Sequence, residues 1–215
     1  MNTSALSKYF YPIVIFALVL FVPLFVVQQI GPFDFWWWMT TNLIILISLG
    51  LSTDHYFKNA LVDDLKTGFW KKFLWGLISA VILYLVFYAG NFIIRQILSF
   101  ADQNISNVYD FKGDASSLRI GLLMLLVIGP GEELFWRAYI QGNFMRRYGK
   151  ITGFILGTLI YTLIHLATGN PVLILAALTG GVFWGWIYMK YQSITINIVS
   201  HIIWDISVFL LFPFY

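Results

Sequence analysis

Gly121-Leu-Leu-Met-Leu-Leu-Val-Ile-Gly-Pro-Gly-Glu-Glu-Leu-Phe-Trp-Arg137 sets two carboxylates and a guanidinium directly behind an unbroken apolar run. Within lipid an ionisable side chain costs at least about 2.5 to 3.5 kcal/mol at the helix centre, so groups that persist there face the protein interior. The surrounding chain shows that lipid is the relevant solvent. Of 215 residues, 60% are hydrophobic and 11% charged, against roughly 25% charged in soluble domains. That balance excludes a soluble globular protein, and an aromatic content of 19% without charge blocks or polar repeats excludes disorder. The absence of Cys removes disulfides, thiolate nucleophiles and sulfur-ligated metals. A net charge of +3 is spread over short loops, which speaks for membrane orientation and against a nucleic-acid partner.

Crossing a hydrocarbon core takes about 20 predominantly apolar residues. Segments of that kind run over 10–30, 35–51, 73–94, 117–137, 151–167, 172–188 and 194–214. The expected fold is therefore all-α, a polytopic transmembrane helix bundle of about seven spans with a broken or kinked fourth helix. Residues 1–215 read as a single membrane domain, with 1–116 holding N-terminal spans without motifs and 117–215 the chemistry. Lys8, Lys58, Lys66, Lys71, Lys72, Arg146, Arg147, Lys150 and Lys190 fall on one side, and Arg95, Lys112 and Arg119 on the other. The positive-inside rule then predicts a multi-pass protein of the cell membrane, its N-terminus cytoplasmic and its C-terminus external. The first span is longer than a signal-peptide core and no small-x-small site follows, so it reads as a retained span.

Two connecting stretches stand out. Residues 54–72 mix aromatic and aliphatic side chains with lysines, a composition suited to a helix lying among lipid headgroups. The stretch 100–116 is polar and reads as an external loop without chemistry, and Trp36, Trp37 and Trp38 read as an interfacial belt.

The intramembrane polar groups are Glu132, Glu133, Arg137, His165, His201 and Asp205, and Glu occurs nowhere else in the chain. Gly129-Pro130-Gly131 predicts an interruption after which a helix restarts or continues with a kink, placing both glutamates in a first turn beside unpaired amides. Glu133 and Arg137, spaced i,i+4, share a face and neutralise each other, leaving Glu132 directed elsewhere. A carboxylate without a fixed counter-ion and near imidazoles suits general-base work. His201 and Asp205 also share a face, with Asp205 expected to orient the imidazole, as do Tyr161 and His165. Depths of about 10 Å from the cytoplasmic edge for Glu132 and His201, and 15 to 20 Å for His165, predict a cavity in the inner half reached from the cytoplasm. Gly153 with Gly157 and Gly181 with Gly185 form small-xxx-small pairs that predict close helix packing.

Glu-Glu-x-x-x-Arg at 132–137, aromatic-x-x-x-His at 161–165 and His-x-x-x-Asp at 201–205 together resemble the three motifs of the CPBP family, the CAAX prenyl endopeptidases and bacteriocin-processing or immunity proteins of Abi type. The resemblance covers about 117–214. It implies an intramembrane protease in which Glu132 with His165 activates water, His201 and Asp205 stabilise the oxyanion, and Glu133 and Arg137 support the site. The sequence departs from the family pattern twice. Tyr161 stands where Phe is usual, bringing a hydroxyl that needs a partner and is read as tolerated. Asp205 stands where Asn is common, and an ionised Asp cannot donate to an oxyanion. The resemblance admits both a metal-free and a zinc mechanism. No cofactor is assigned, although Glu132, His165 and His201 would be the zinc ligands if one were present. The chain lacks the His-Glu-x-x-His of zinc proteases, a Gly-x-Ser-x-Gly elbow and an intramembrane Gly-x-Gly-Asp.

The expectation is thus an intramembrane endopeptidase of a bacterial member, partnered by the lipid bilayer and a membrane-associated peptide or protein tail cut near the cytoplasmic side. A non-catalytic peptide-binding or immunity protein is one alternative. A proton-coupled transporter is the other, disfavoured by the lack of an inverted repeat.

Overall fold

The computed structural model describes residues 7–214, and among these every extended regular element is a helix. In chain order the helices are α1 (Phe10–Val27), α2 (Phe35–Thr53), α3 (His55–Lys66), α4 (Phe69–Ile97), α5 (Ala101–Tyr109), α6 (117–148), α7 (Lys150–His165), α8 (Pro171–Tyr191) and α9 (Ile194–Ile206, continued by a π-turn over Ser207–Leu211). Six are long and apolar enough to span a membrane: α1, α2, α4 and α8, with α7 and α9 counted together with the turns that continue them. The protein is therefore a multi-pass membrane bundle.

The expected span at 117–137 is not among those six. It belongs to α6, a helical run in which short α-segments alternate with π-turns over Met124–Ile128 and Glu133–Gln141. Of a restart or a continuation at Gly129-Pro130-Gly131, the chain takes the continuation. A proline interrupts an α-helix because it lacks an N–H and its ring strikes the carbonyl four residues back. Here the wider π-turn before it carries the chain through, with Gly129 N–H bonding to the carbonyl of Met124, five residues back. Glu132 and Glu133 consequently sit inside a continuous helix rather than beside unpaired amides. The glycines serve packing instead. A Cβ on Gly129 would stand 2.9 Å from Ile202 of α9, and one on Gly131 would stand 3.2 Å from Leu43 of α2.

α6 forms the centre of the bundle, and from Gly131 to Phe144 only Leu134 escapes full burial. α7 lies against it closely enough that a Cβ on Gly153 would come within 2.3 Å of the Met145 backbone nitrogen. Gly157 similarly faces Gln141, and Gly181 of α8 faces Tyr161 and Thr158 of α7. Aromatic rings fill the space between α1 and α6, where Phe10 meets Phe144 edge-on at 5.0 Å and Phe21 meets Trp136 at 5.4 Å.

The lysine-rich end of the bundle is tied shut. Asp54 caps α3 by accepting from Phe57 N, and it also accepts from Asn143 and Arg146 of α6 at 2.8 and 2.7 Å. Asp64 accepts from Lys72 and from both the backbone and hydroxyl of Thr195, fixing α3 to the start of α9. Burial works against an ionised Asp64, but these hydrogen bonds prevail and hold its carboxyl below the ordinary range. At the opposite end the stretch read as an uninformative loop forms α5 and a 3-10 turn at Asp110–Lys112, which fold inward. Phe111 stacks on Phe35 at 4.9 Å, Tyr109 donates to the Val208 carbonyl at 3.1 Å, and Arg119 pairs with Asp34.

Candidate active site

Glu132, His165, His201 and Asp205 all line one cavity of about 300 Å³, brought together from α6, α7 and α9. Glu133 and Arg137 do not reach it and lie behind its wall, 0% and 2% exposed.

On α7, His165 Nδ1 stands 2.7 Å from the carbonyl of Tyr161 one turn earlier. A carbonyl can only accept, so Nδ1 carries the hydrogen and Nε2 is the nitrogen left for chemistry. Phe25 of α1 packs on the imidazole at 4.9 Å and the Tyr161 ring meets it edge-on at 4.8 Å, which restrains its plane. Tyr161 hydroxyl donates to Glu132 Oε2 at 3.0 Å. The hydroxyl that the sequence left in need of a partner thus finds it in the glutamate of the first motif.

On α9, His201 Nδ1 donates to Glu133 Oε1 at 2.7 Å. Asp205 was the expected holder of this ring, but its carboxylate stands 3.6 Å from Nε2, within ion-pair reach and beyond hydrogen-bond length. Glu133 also accepts from Asn197 Nδ2 at 2.9 Å and pairs with Arg137 Nη1 at 3.3 Å. Two hydrogen-bond donors and one guanidinium charge therefore converge on one buried carboxylate, the arrangement a charge needs when removed from water. Arg137 in turn covers the Tyr161 ring at 4.2 Å and reaches the Gly180 carbonyl at 3.4 Å. The indole of Trp184 stacks on His201 with centroids 3.8 Å apart and planes at 18°, its Nε1 donating to Ser200.

Asn197 and Trp184 were not singled out from sequence. Asn197 was detectable, because Asn197, His201 and Asp205 form an i, i+4, i+8 polar stripe on an otherwise apolar helix. Trp184 carries no comparable signal, since a tryptophan in a membrane helix is ordinary.

The side chains that would serve zinc do not fit it as they stand. Among the described residues no three His, Asp or Glu side chains form a group able to hold a metal ion. His165 Nδ1 and His201 Nδ1 are taken up by Tyr161 and Glu133, and one oxygen of Glu132 by the Tyr161 hydroxyl.

Access differs from the sequence expectation. The cavity was placed in the half nearer the lysine-rich end and opening there, yet residues 138–144 are buried at that end. The cavity is walled instead by Phe25, Phe35, Ile105, Phe111 and Phe214, all at the end where α5 folds in. Counting depth along separate helices missed this, because the inward fold of α5 and the 3-10 turn is a tertiary event. Val86 of α4 and Leu175 of α8 also line the cavity and are each 45% exposed, so it reaches the lipid-facing surface between these helices. The first three spans carry no motif but supply part of this wall.

The protein is thus a multi-pass helical bundle with an acid-base-lined cavity among its helices. Residues 114–207 match the family described as Type II CAAX prenyl endopeptidase Rce1-like, a match that supports a protease assignment. No curated protein and no solved structure matches it.

Proposed function

We propose that the protein is an intramembrane endopeptidase that hydrolyses a peptide bond in a membrane-associated peptide or protein, using water activated by Glu132 and His165. The observation that carries this reading is the single cavity shared by Glu132, His165, His201 and Asp205. Three helices each bear a costly polar group toward one point, which a purely structural network does not require.

In this reaction Glu132 takes a proton from water as the oxygen attacks the peptide carbonyl, and His165 Nε2 holds the water in line. The carbonyl oxygen becomes an oxyanion. His201 has Glu133 at Nδ1 and Asp205 near Nε2, so its imidazole can carry both protons and donate from Nε2 to that oxygen. Asp205 then balances charge rather than donating. Collapse of the tetrahedral species breaks the C–N bond, and Glu132 returns its proton to the departing nitrogen, leaving carboxylic acid and amine. No step is routed through a metal.

The opening toward lipid between α4 and α8 suits a substrate that remains tethered in the bilayer while its polypeptide enters the cavity. Read with the charge bias, the cavity end faces outward, with the N-terminus cytoplasmic and the C-terminus external.

The test is hydrolysis of a lipid-anchored, quenched-fluorescent peptide library by purified protein, with products identified by mass. Glu132→Ala and His165→Ala should each abolish cleavage while leaving thermal unfolding within a few degrees of the parent. Full cleavage by Glu132→Ala would end the assignment.

A further inference from the structure

Tyr161 differs from every other group at the cavity in being tied directly to the proposed base. Its ring is fixed on three sides, by the Arg137 guanidinium at 4.2 Å, by Trp136 at 5.7 Å and by His165 at 4.8 Å. The side chain is 6% exposed, so the hydroxyl has little freedom to swing. It donates to Glu132 Oε2 at 3.0 Å, the one hydrogen bond that the Glu132 carboxylate makes among the described residues. Glu133, the adjacent residue, is held by two donors and the Arg137 charge, whereas Glu132 depends on this one.

We propose that Tyr161 is a positioning residue for the reaction: its hydroxyl occupies Oε2, fixes the rotamer of Glu132, and leaves Oε1 as the oxygen that meets water. This rests on the reading of Glu132 as the base. A carboxylate with two equivalent free oxygens samples several orientations, and displacement by about 1 Å from the line of attack costs on the order of a hundredfold in rate. A hydroxyl donor on one oxygen removes that freedom without adding a charge. The aromatic ring alone can meet Arg137, Trp136 and His165 and would keep the packing, so the hydroxyl is separable from the fold.

The chain provides a direct spectroscopic handle, because its only two glutamates are Glu132 and Glu133. Uniform ¹³C-glutamate labelling therefore moves just two side-chain carboxyl bands in an infrared difference spectrum, and Glu133→Gln and Glu132→Gln assign them. In Tyr161→Phe the Glu132 band should shift and broaden while the Glu133 band holds its place. Against the peptide that the parent protein cleaves fastest from the lipid-anchored library, Tyr161→Phe should lower kcat by about tenfold to a hundredfold with KM within about twofold. An unmoved Glu132 band, or a kcat equal to or above that of the parent, overturns the proposal. Activity retained by Glu132→Gln instead overturns the reading of Glu132 as base. Loss in Glu132→Gln beside a fully active Tyr161→Phe removes the role of Tyr161 alone.

Discussion

Replacing Glu133 by Leu probes how the site is held. Glu133 is fully buried, accepts hydrogen bonds from His201 at 2.7 Å and Asn197 at 2.9 Å, and forms an ion pair with Arg137 at 3.3 Å. Leucine fills similar volume but leaves the Arg137 cation, 2% exposed, without its carboxylate. Breaking a buried pair from one side costs about 3 to 5 kcal/mol. In a chain of this size each kcal/mol moves the unfolding midpoint by roughly 2 to 4 °C, so a fall on the order of 10 °C is expected. The double variant Glu133→Leu, Arg137→Met removes the stranded charge as well, and replacing a whole buried pair by apolar groups is often near neutral. What then remains are the unsatisfied His201 Nδ1 and Asn197 Nδ2 hydrogens, about 1 to 3 kcal/mol each. The double variant should recover part of the lost midpoint, yet stay inactive because His201 has lost its holder. Midpoints follow from tryptophan fluorescence on heating in detergent, and the cycle gives the coupling directly. A single variant within about 2 °C of the parent, or a double variant no more stable than the single, would refute this account.

Four further outcomes are expected. Gly153→Ala forces a Cβ against the Met145 backbone, which cannot move as a flexible side chain would; destabilisation of about 1 to 3 kcal/mol and a fall in kcat are expected, and a wild-type midpoint would contradict the packing argument. Asp64→Asn should lower the midpoint near neutrality. Because the folded carboxyl lies below its unfolded value, its contribution is present above the unfolded value and fades as pH falls through the folded one, so parent and variant melting curves should converge in strong acid. Since no Cys is present, Gln103→Cys on α5 and Lys150→Cys at the lysine-rich end report sidedness cleanly; an impermeant maleimide should reach position 103 in intact cells and position 150 only after permeabilisation, and the reverse pattern inverts the orientation. A strong chelator should leave peptide cleavage unchanged, and inhibition reversed by zinc would show that the side chains rearrange around a metal.

Composition and spacing sufficed for the all-helical membrane class, because lipid forces backbone hydrogen bonds to close within each segment and makes every intramembrane charge conspicuous. The i,i+4 spacing likewise placed Arg137 beside Glu133, a local relation that survives even in a π-turn. Relations between helices were not written locally. That Glu133 rather than Asp205 holds His201 depends on how α6 and α9 rotate against each other. That Tyr161 bonds Glu132 depends on how closely Gly153 and Gly157 let α7 approach. The glycines flanking Pro130 illustrate the limit: one sequence pattern serves either a helix break or close packing, and the neighbours α2 and α9 decide for packing. The end at which the cavity lies was decided in the same way, by α5 and the 3-10 turn folding onto the bundle. A stretch of polar residues specifies only that it can bear water, and its position comes from the Phe35–Phe111 stack and the Arg119–Asp34 pair, contacts between residues far apart in the chain.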